Sequence, residues 1–157
     1  MKISKEMIIL EFLFPQYTKR EIITSRFKNY FLCEQNSIKT YYKISPEKII
    51  KSEDKRTSII IQNLPKEMNK ESLKKLLENT GNINYIYLPF DKIKNRNSGY
   101  AFINMVNYKN IINLYKKCNG IFLKGYHMKL PLLLSYSHIQ GKEKMSQFFF
   151  KKDVKNY

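Results

Sequence analysis

Cysteine and histidine are scarce in this chain, and their scarcity limits the chemistry it can perform. There are two cysteines, Cys33 and Cys118, and two histidines among 157 residues. Two cysteines are too few for a disulfide framework or a four-ligand zinc site, so we interpret both as reduced thiols of an intracellular protein. His127 and His138 have no Cys, Asp or Glu at ligand spacing. The sequence therefore predicts no metal and no other cofactor.

Catalytic constellations and long apolar runs are also absent. No Ser-His-Asp, Cys-His or paired-carboxylate arrangement is visible, and there is no glycine-rich phosphate loop, so we expect no enzyme activity. No run approaches the ~20 apolar residues that a membrane span requires. The apolar stretch over residues 7–14 contains Glu11 and lacks the small-residue cleavage site of a secretory signal. We expect no membrane association and a place in the nucleus, the cytoplasm or both.

Acidic residues are few relative to basic ones. Asp and Glu number 13 against 29 Lys and Arg, which gives a formal net charge of +16 at pH 7. The excess is greatest over residues 57–150. It favours a polyanionic partner, because each neutralised phosphate releases condensed counterions. The chain is also rich in Lys, Asn, Ile and Tyr, a bias that codon usage alone can produce, so charge is supporting evidence for nucleic-acid binding.

Residues 97–106, which read N-S-G-Y-A-F-I-N-M-V, are the stretch around which the other predicted elements are arranged. A β-strand there has period two, so alternate side chains point to opposite faces. The apolar set suits a core and comprises Ala101, Ile103 and Met105. The other set comprises Tyr100, Phe102 and Asn104. Two neighbouring rings on an open sheet face form a platform on which single-stranded RNA bases stack.

The flanking sequence predicts the rest of one domain. A β-branched run begins at Ser58, and further strands are predicted over residues 83–88 and 129–136. Helices are predicted over residues 70–79 and 108–117. The order is strand, helix, strand, strand, helix, strand. This order predicts an α+β, ferredoxin-like split βαβ sandwich (β-α-β-β-α-β), a four-stranded antiparallel sheet with two helices on one face. A C-terminal helix is predicted over residues 142–150, with Met145, Phe148 and Phe149 at contact spacing.

Three regions are expected along the chain. Residues 1–56 form a partly ordered basic N-terminal extension, in which Ser45-Pro46-Glu47 predicts a short helix and residues 52–56 a charged linker. Residues 57–150 form the domain with its C-terminal helix, and residues 151–157 a mobile basic tail. An alternative for the extension is that the apolar patch at residues 7–14 docks on the domain or on a partner.

Two motifs resemble those of the RNA recognition motif (RRM) family. Residues 98–105 are close to the pattern Lys/Arg-Gly-Phe/Tyr-Gly/Ala-Phe-Val-x-Phe/Tyr. Residues 59–64 resemble the second motif of the family (aliphatic, aromatic, aliphatic, any, Asn, Leu), with Ile60 where a ring is usual. Four stretches further resemble the C-terminal RRM of the Mei-two-like meiosis regulators. They are T-S-I-I-I-Q-N-L-P, Y-L-P-F-D, N-S-G-Y-A-F-I-N and Y-S-H-I-Q-G-K-E.

The resemblance covers residues 57–148 and implies single-stranded RNA binding in the regulation of meiosis or development. Tyr100 and Phe102 are the expected stacking rings, and Tyr87 is a further candidate on the same face. Ile60 offers apolar contact, and the amides of Gln62 and Asn104 can hydrogen-bond base edges. The full set of expected RNA-binding residues is Tyr100, Phe102, Ile60, Gln62, Tyr87, Asn104, Lys94, Arg96, Gln140 and Lys142.

The basic and C-terminal candidates rest on different grounds. Lys94 and Arg96 lie in the loop before the central strand and can contact phosphate in place of the basic residue that the motif expects at Ser98. Gln140 and Lys142 are carried over only from the Mei-two-like segment. We expect a monomer. The alternative to RNA binding is a protein-interaction module that uses the sheet face or the C-terminal helix, and this alternative gains if that helix covers the two rings.

Overall fold

A computed structural model gives the structure of this chain, and it describes residues 40–155. The chain divides into two units, Met1–Lys43 and Ile44–Tyr157. Within the first unit, residues 40–42 form one helical turn, in which the Lys43 amide donates to the Thr40 carbonyl at 3.3 Å. The apolar patch predicted at residues 7–14 lies outside the described residues, as do residues 156 and 157 of the predicted tail.

The second unit is built on a four-stranded antiparallel sheet. Its strands are β1 (Ser58–Gln62), β2 (Ile83–Tyr87), β5 (Tyr100–Met105) and β6 (Leu133–Tyr136), in the order β2-β5-β1-β6. Two short strands, β3 (Phe90–Asp91) and β4 (Arg96–Asn97), form a separate hairpin between β2 and β5. Strands β1 and β5 are the two central strands, each paired with a neighbour on both edges. Their β-branched and aromatic residues suit this position.

In the described part of the second unit, four helices accompany the sheet. They are α1 (Pro46–Ile50), α2 (Lys70–Leu77), α3 (Ile111–Cys118) and α4 (Lys142–Lys155), with a 3-10 turn at Tyr108–Asn110 before α3. Asn69 caps α2 as its sequence predicts, since its Oδ1 accepts from the Ser72 amide at 2.8 Å. The order from β1 to β6 confirms the predicted α+β, ferredoxin-like fold with an added C-terminal helix. Residues 151–155, expected in a mobile tail, instead continue α4.

The core lies between the inner face of the sheet and helices α2 and α3. Alternation along β1 and β5 sends one set of side chains inward, as predicted from period two. The buried inward residues are Ile59, Ile61, Ala101, Ile103, Met105 and Leu134. The helices contribute the buried residues Leu73, Leu77, Ile111 and Leu114. Each fully buried aliphatic side chain of this size stabilises the fold by about 1.5–3 kcal/mol.

Residues 44–57, which precede β1, belong to the same compact unit as the sheet. The helix predicted from Ser45-Pro46-Glu47 is present as α1, and Ile44 and Ile49 are only 2% and 1% exposed. Asp54 pairs with the Arg56 guanidinium at 2.7 Å. That guanidinium lies 4.0 Å from the centre of the buried Tyr136 ring. The charged linker predicted over residues 52–56 thus contacts β6 through Arg56. The domain boundary near residue 57 stays a prediction.

Candidate nucleic-acid interface

The outer face of the sheet, opposite α2 and α3, consists of three cross-strand rows. The first row holds Tyr85, Asn104 and Ser58. The second row holds Tyr87, Phe102, Ile60 and Ser135. The third row holds Tyr100, Gln62 and Leu133. The register therefore brings together on one face the predicted binding residues Tyr100, Phe102, Ile60, Gln62, Tyr87 and Asn104.

Helix α4 lies over the β2 and β5 side of the first two rows. The Phe149 ring stacks on Tyr87, with 4.2 Å between centroids and 17° between planes, and lies 4.7 Å from Phe102. Phe102 is 1% exposed and Phe149 2%. Helix α4 thus covers the Phe102 ring, because an aromatic face on a sheet is a favourable packing surface for another ring, and the stacking of a base on Phe102 stays a prediction. The i, i+3, i+4 spacing of Met145, Phe148 and Phe149 was the sequence signal for an apolar face on α4.

The burial of two side chains of α4 stabilises its position on the sheet. Met145, one turn before Phe149, has no exposed surface. Fully burying these two side chains together stabilises the docked helix by about 3–6 kcal/mol. A single base stacked on an aromatic residue contributes about 1–3 kcal/mol. The docked helix is therefore held more strongly than one base would hold the same ring.

Gln140 anchors the start of α4 to β1. Its Oε1 accepts from the amides of Thr57 at 3.1 Å and Ser58 at 3.0 Å. Its Nε2 donates to the carbonyls of Ser58 at 2.8 Å and Ser137 at 2.6 Å. The Gly141 amide adds a bond to Ser58 Oγ at 2.8 Å. Both ends of the Gln140 amide are thus committed to backbone, while its role in RNA contact stays a prediction.

The side-chain amide of Asn104 also forms hydrogen bonds within the protein. It is 4% exposed, and its Oδ1 accepts from Thr57 Oγ1 at 2.8 Å and from Ser58 Oγ at 2.6 Å. Its Nδ2 donates to Asn84 Oδ1 at 2.8 Å. A buried amide on a sheet is stabilised by such partners. The amide bridges β5 to β1 and β2, and the predicted contact of Asn104 with a base edge stays a prediction.

The third row holds the most exposed residue of the outer face, Leu133. Tyr100 and Gln62 are half-buried, and Leu133 is 49% exposed. The Tyr100 ring meets Phe102 edge-on, at 5.7 Å and 83°. Desolvation by burial raises the pKa of Tyr100 above its ordinary value, so the phenol stays neutral and can donate a hydrogen bond near pH 7. Ile60, in the neighbouring row, is also half-buried.

The β3–β4 hairpin adds charge and exposed apolar surface. Lys94 and Arg96 are exposed, as their predicted phosphate contacts require, and Lys142 at the start of α4 is exposed as well. Asp91 Oδ1 shapes the turn by accepting from the amides of Ile93 at 3.0 Å and Lys94 at 3.1 Å. Phe90 is 54% exposed and Ile93 97%. The prediction missed these two, although apolar residues within a basic loop were visible in the sequence.

Asn97 fixes the hairpin relative to the central strands. It is 1% exposed, and its Nδ2 donates to the carbonyls of Pro65 at 2.8 Å and Met68 at 2.7 Å. Its Oδ1 accepts from the Gly99 amide at 2.7 Å. Gly99 has a φ of +91°, a backbone conformation that glycine adopts without strain. This junction sets the position of Tyr100, the next residue in the chain.

Two titratable side chains have pKa values that burial shifts strongly. Desolvation lowers the pKa of His138 to about 4 and raises the pKa of Cys118 to about 11. Both side chains are therefore neutral near pH 7, and the Cys118 thiol is not activated as a nucleophile. Within residues 40–155 no group of three or more His, Cys, Asp or Glu is placed to hold a metal. In the same part of the chain no helix has the length and apolar character needed to cross a membrane.

Comparisons with known proteins agree with the motifs. The family described as RNA recognition motif 2 matches residues 56–150. Protein MEI2-like 5 of Arabidopsis thaliana is 37% identical over 120 residues, which are 73% of this chain and 15% of that protein. Protein MEI2-like 4 of Oryza sativa subsp. japonica is 34% identical over 127 residues, or 78% of this chain and 12% of that protein. This chain thus spans less than a fifth of the length of these relatives.

Solved structures also resemble this chain. One is described as the Rna15 RRM with bound RNA (GU). It is 21% identical, with a TM-score of 0.49, and covers 60% of this chain and 96% of that chain.

Proposed function

Because the chain belongs to the RNA recognition motif 2 family, we propose that it binds single-stranded RNA on the outer face of its sheet. The observation that carries this proposal is the accessible third row, in which the Tyr100 ring stands beside the Gln62 amide and the exposed Leu133. An aromatic face with a neighbouring amide suits an unpaired base, which offers a π-face for stacking and polar edges for hydrogen bonds.

The basic hairpin supports the same proposal. Lys94 and Arg96 are exposed on the connection that leads directly into the strand carrying Tyr100. Cations on this hairpin would contact the phosphates between bases and would make the affinity depend on salt. Phosphate contacts position the strand, whereas the third row would distinguish bases.

A fluorescence titration tests this proposal. The probe is a labelled pool of degenerate single-stranded RNA about ten nucleotides long, comparable to the footprint of one small RNA-binding domain. We expect Tyr100→Ala to weaken binding by about tenfold or more, as expected for a stacked base. The matched control is Tyr115→Ala, which removes a half-buried tyrosine from α3, on the other side of the sheet. No binding of the pool by the wild-type chain at low salt contradicts the proposed function.

The finer part of the proposal is regulation of RNA in meiosis or development, inside the cell, in the nucleus, the cytoplasm or both. It is supported by the Mei-two-like stretches and by the relatives named MEI2-like. The test is ultraviolet crosslinking of the chain to RNA in cells, followed by sequencing of the bound RNA from meiotic and vegetative cultures. Identical sets of bound RNA in the two cultures contradict a meiotic role.

A second proposal is a protein-interaction role for α4. The observation that favours it is the cover that α4 places over Phe102, together with Phe150, which is 70% exposed beside the buried Phe149. In this proposal a protein partner contacts the outer surface of α4, and the RNA-binding surface is dispensable. Phe150→Ser then abolishes partner binding without changing RNA affinity, whereas loss of RNA affinity on this substitution contradicts the second proposal.

A further inference from the structure

Phe149 takes the place that a nucleobase would take on the ring at the centre of the sheet. Its plane lies at 17° to Tyr87 and 39° to Phe102, at centroid distances of 4.2 and 4.7 Å. Such distances are those of stacked aromatic rings. A base that stacks on Phe102 would have to remove Phe149 first.

Removal of Phe149 is opposed by more than the ring contact itself. Met145, one turn earlier on the same helix, has no exposed surface, and the Phe148 ring meets the His138 ring edge-on at 6.5 Å. The start of α4 is fixed by the Gly141 amide, which donates to Ser58 Oγ at 2.8 Å. One base placed on Phe102 would replace the Phe149 contact, but it would leave Met145 in water. RNA binding is therefore not expected to displace the helix.

We propose that the RNA strand binds while α4 stays docked, and that its base-binding site is the third row of Tyr100, Gln62 and Leu133. This inference rests on the proposed function and specifies its site. Phe149 is then a permanent occupant of the Phe102 position, and Phe102 itself takes no part in binding the RNA. The site is bounded by the β3–β4 hairpin.

The chemistry of the third row identifies single-stranded RNA as its occupant. Tyr100 offers a ring, Gln62 an amide and Leu133 an apolar side chain that is 49% exposed. The adjoining hairpin presents the exposed cations Lys94 and Arg96. Positive charge next to a ring and an amide complements a strand that alternates phosphate with an unpaired base.

Amide hydrogen exchange of the full chain, with and without the degenerate RNA pool at saturation, tests this directly. If α4 stays docked, the amides of residues 145–150 keep the protection that they have in the free protein. If RNA displaces the helix, those amides lose protection when RNA is added, and the inference is overturned. The measurement uses the wild-type chain, so it does not depend on whether a variant folds.

A pair of conservative variants gives an independent test. Tyr100→Leu removes the ring from the third row, and we expect it to weaken binding by about tenfold or more. Phe102→Leu removes the ring under Phe149 but keeps an apolar side chain there. We expect the RNA affinity of this variant to stay within about twofold of wild type, which is a change in binding free energy of less than about 0.5 kcal/mol. Equal losses for the two variants overturn the inference. Absence of RNA binding by the wild type instead overturns the proposed function, so the two failures are distinguishable.

Discussion

Phe149, in the C-terminal helix, stacks on Tyr87 in strand β2 with 4.2 Å between ring centroids and 17° between ring planes. The two residues are far apart in the chain, yet their contact determines how much of the sheet can meet RNA. It converts the outer face from one open platform into a covered half beneath α4 and an accessible half around Tyr100. The covered half contributes stability, and the accessible half is the proposed RNA site.

Truncation of Phe149 tests the covered half. Phe149→Ala should lower the free energy of unfolding by about 3–5 kcal/mol, because it leaves a cavity over Phe102 and removes a buried ring. Denaturant unfolding followed by circular dichroism measures this change. The control is Phe150→Ala, whose side chain is 70% exposed and whose effect should stay within about 0.5 kcal/mol. Equal effects at the two positions contradict the docking of α4.

The segment before β1 should stabilise the domain. Ile49→Ala should destabilise it by about 2–5 kcal/mol, because the side chain is 1% exposed in the compact unit that begins at Ile44. Thermal unfolding measures the change. Ile50→Ala is the matched control, since the neighbouring isoleucine is 72% exposed. A wild-type melting temperature for Ile49→Ala would show that the segment is not needed for the fold.

The hairpin cations should determine part of the salt dependence. If Lys94 and Arg96 each neutralise one phosphate, each alanine substitution should reduce the slope of log affinity against log salt by about 0.7. The measurement is a titration of the degenerate RNA pool at several salt concentrations. Lys116→Ala serves as the control, because Lys116 is exposed on α3. An unchanged slope for both hairpin variants would remove the hairpin from the interface.

His138 should make stability depend on pH. Burial lowers its pKa in the folded chain to about 4 from an ordinary value of 6.5, so the unfolded chain binds a proton more readily. Its contribution to stability is fully present above pH 6.5 and is lost progressively as pH falls from 6.5 toward 4. Unfolding free energies of wild type and His138→Phe across this range measure the effect. An equally steep decline in the variant contradicts the assignment to His138.

Asp54 provides an internal comparison at lower pH. The hydrogen bond from Arg56 lowers its pKa below the ordinary value of 3.8, and its stabilising effect is lost only as pH falls below that value. The two groups thus act in different pH windows, because the loss from His138 begins near pH 6.5 and the loss from this ion pair begins only near pH 4.

Much of the fold was determined by the sequence alone. Alternation of side chains along β1 and β5 is a local property of an extended backbone, so the inward set and the outward set could be assigned without coordinates. The caps and turn residues that delimit the elements also act over a few positions, as Asn69 does at the start of α2. These local signals were sufficient for the order of the elements and for the face that carries Tyr100.

Only the tertiary structure decided which part of that face is open. The spacing of Met145 and Phe149 predicted an apolar helix face, but spacing within one helix does not specify the surface on which it packs. Asn104 lies on the outer face as its strand position predicts, yet its hydrogen bonds go to Ser58 and Asn84 in other strands and to Thr57 just before β1. Contacts between distant segments depend on how the whole chain excludes water, and no local pattern contains that information.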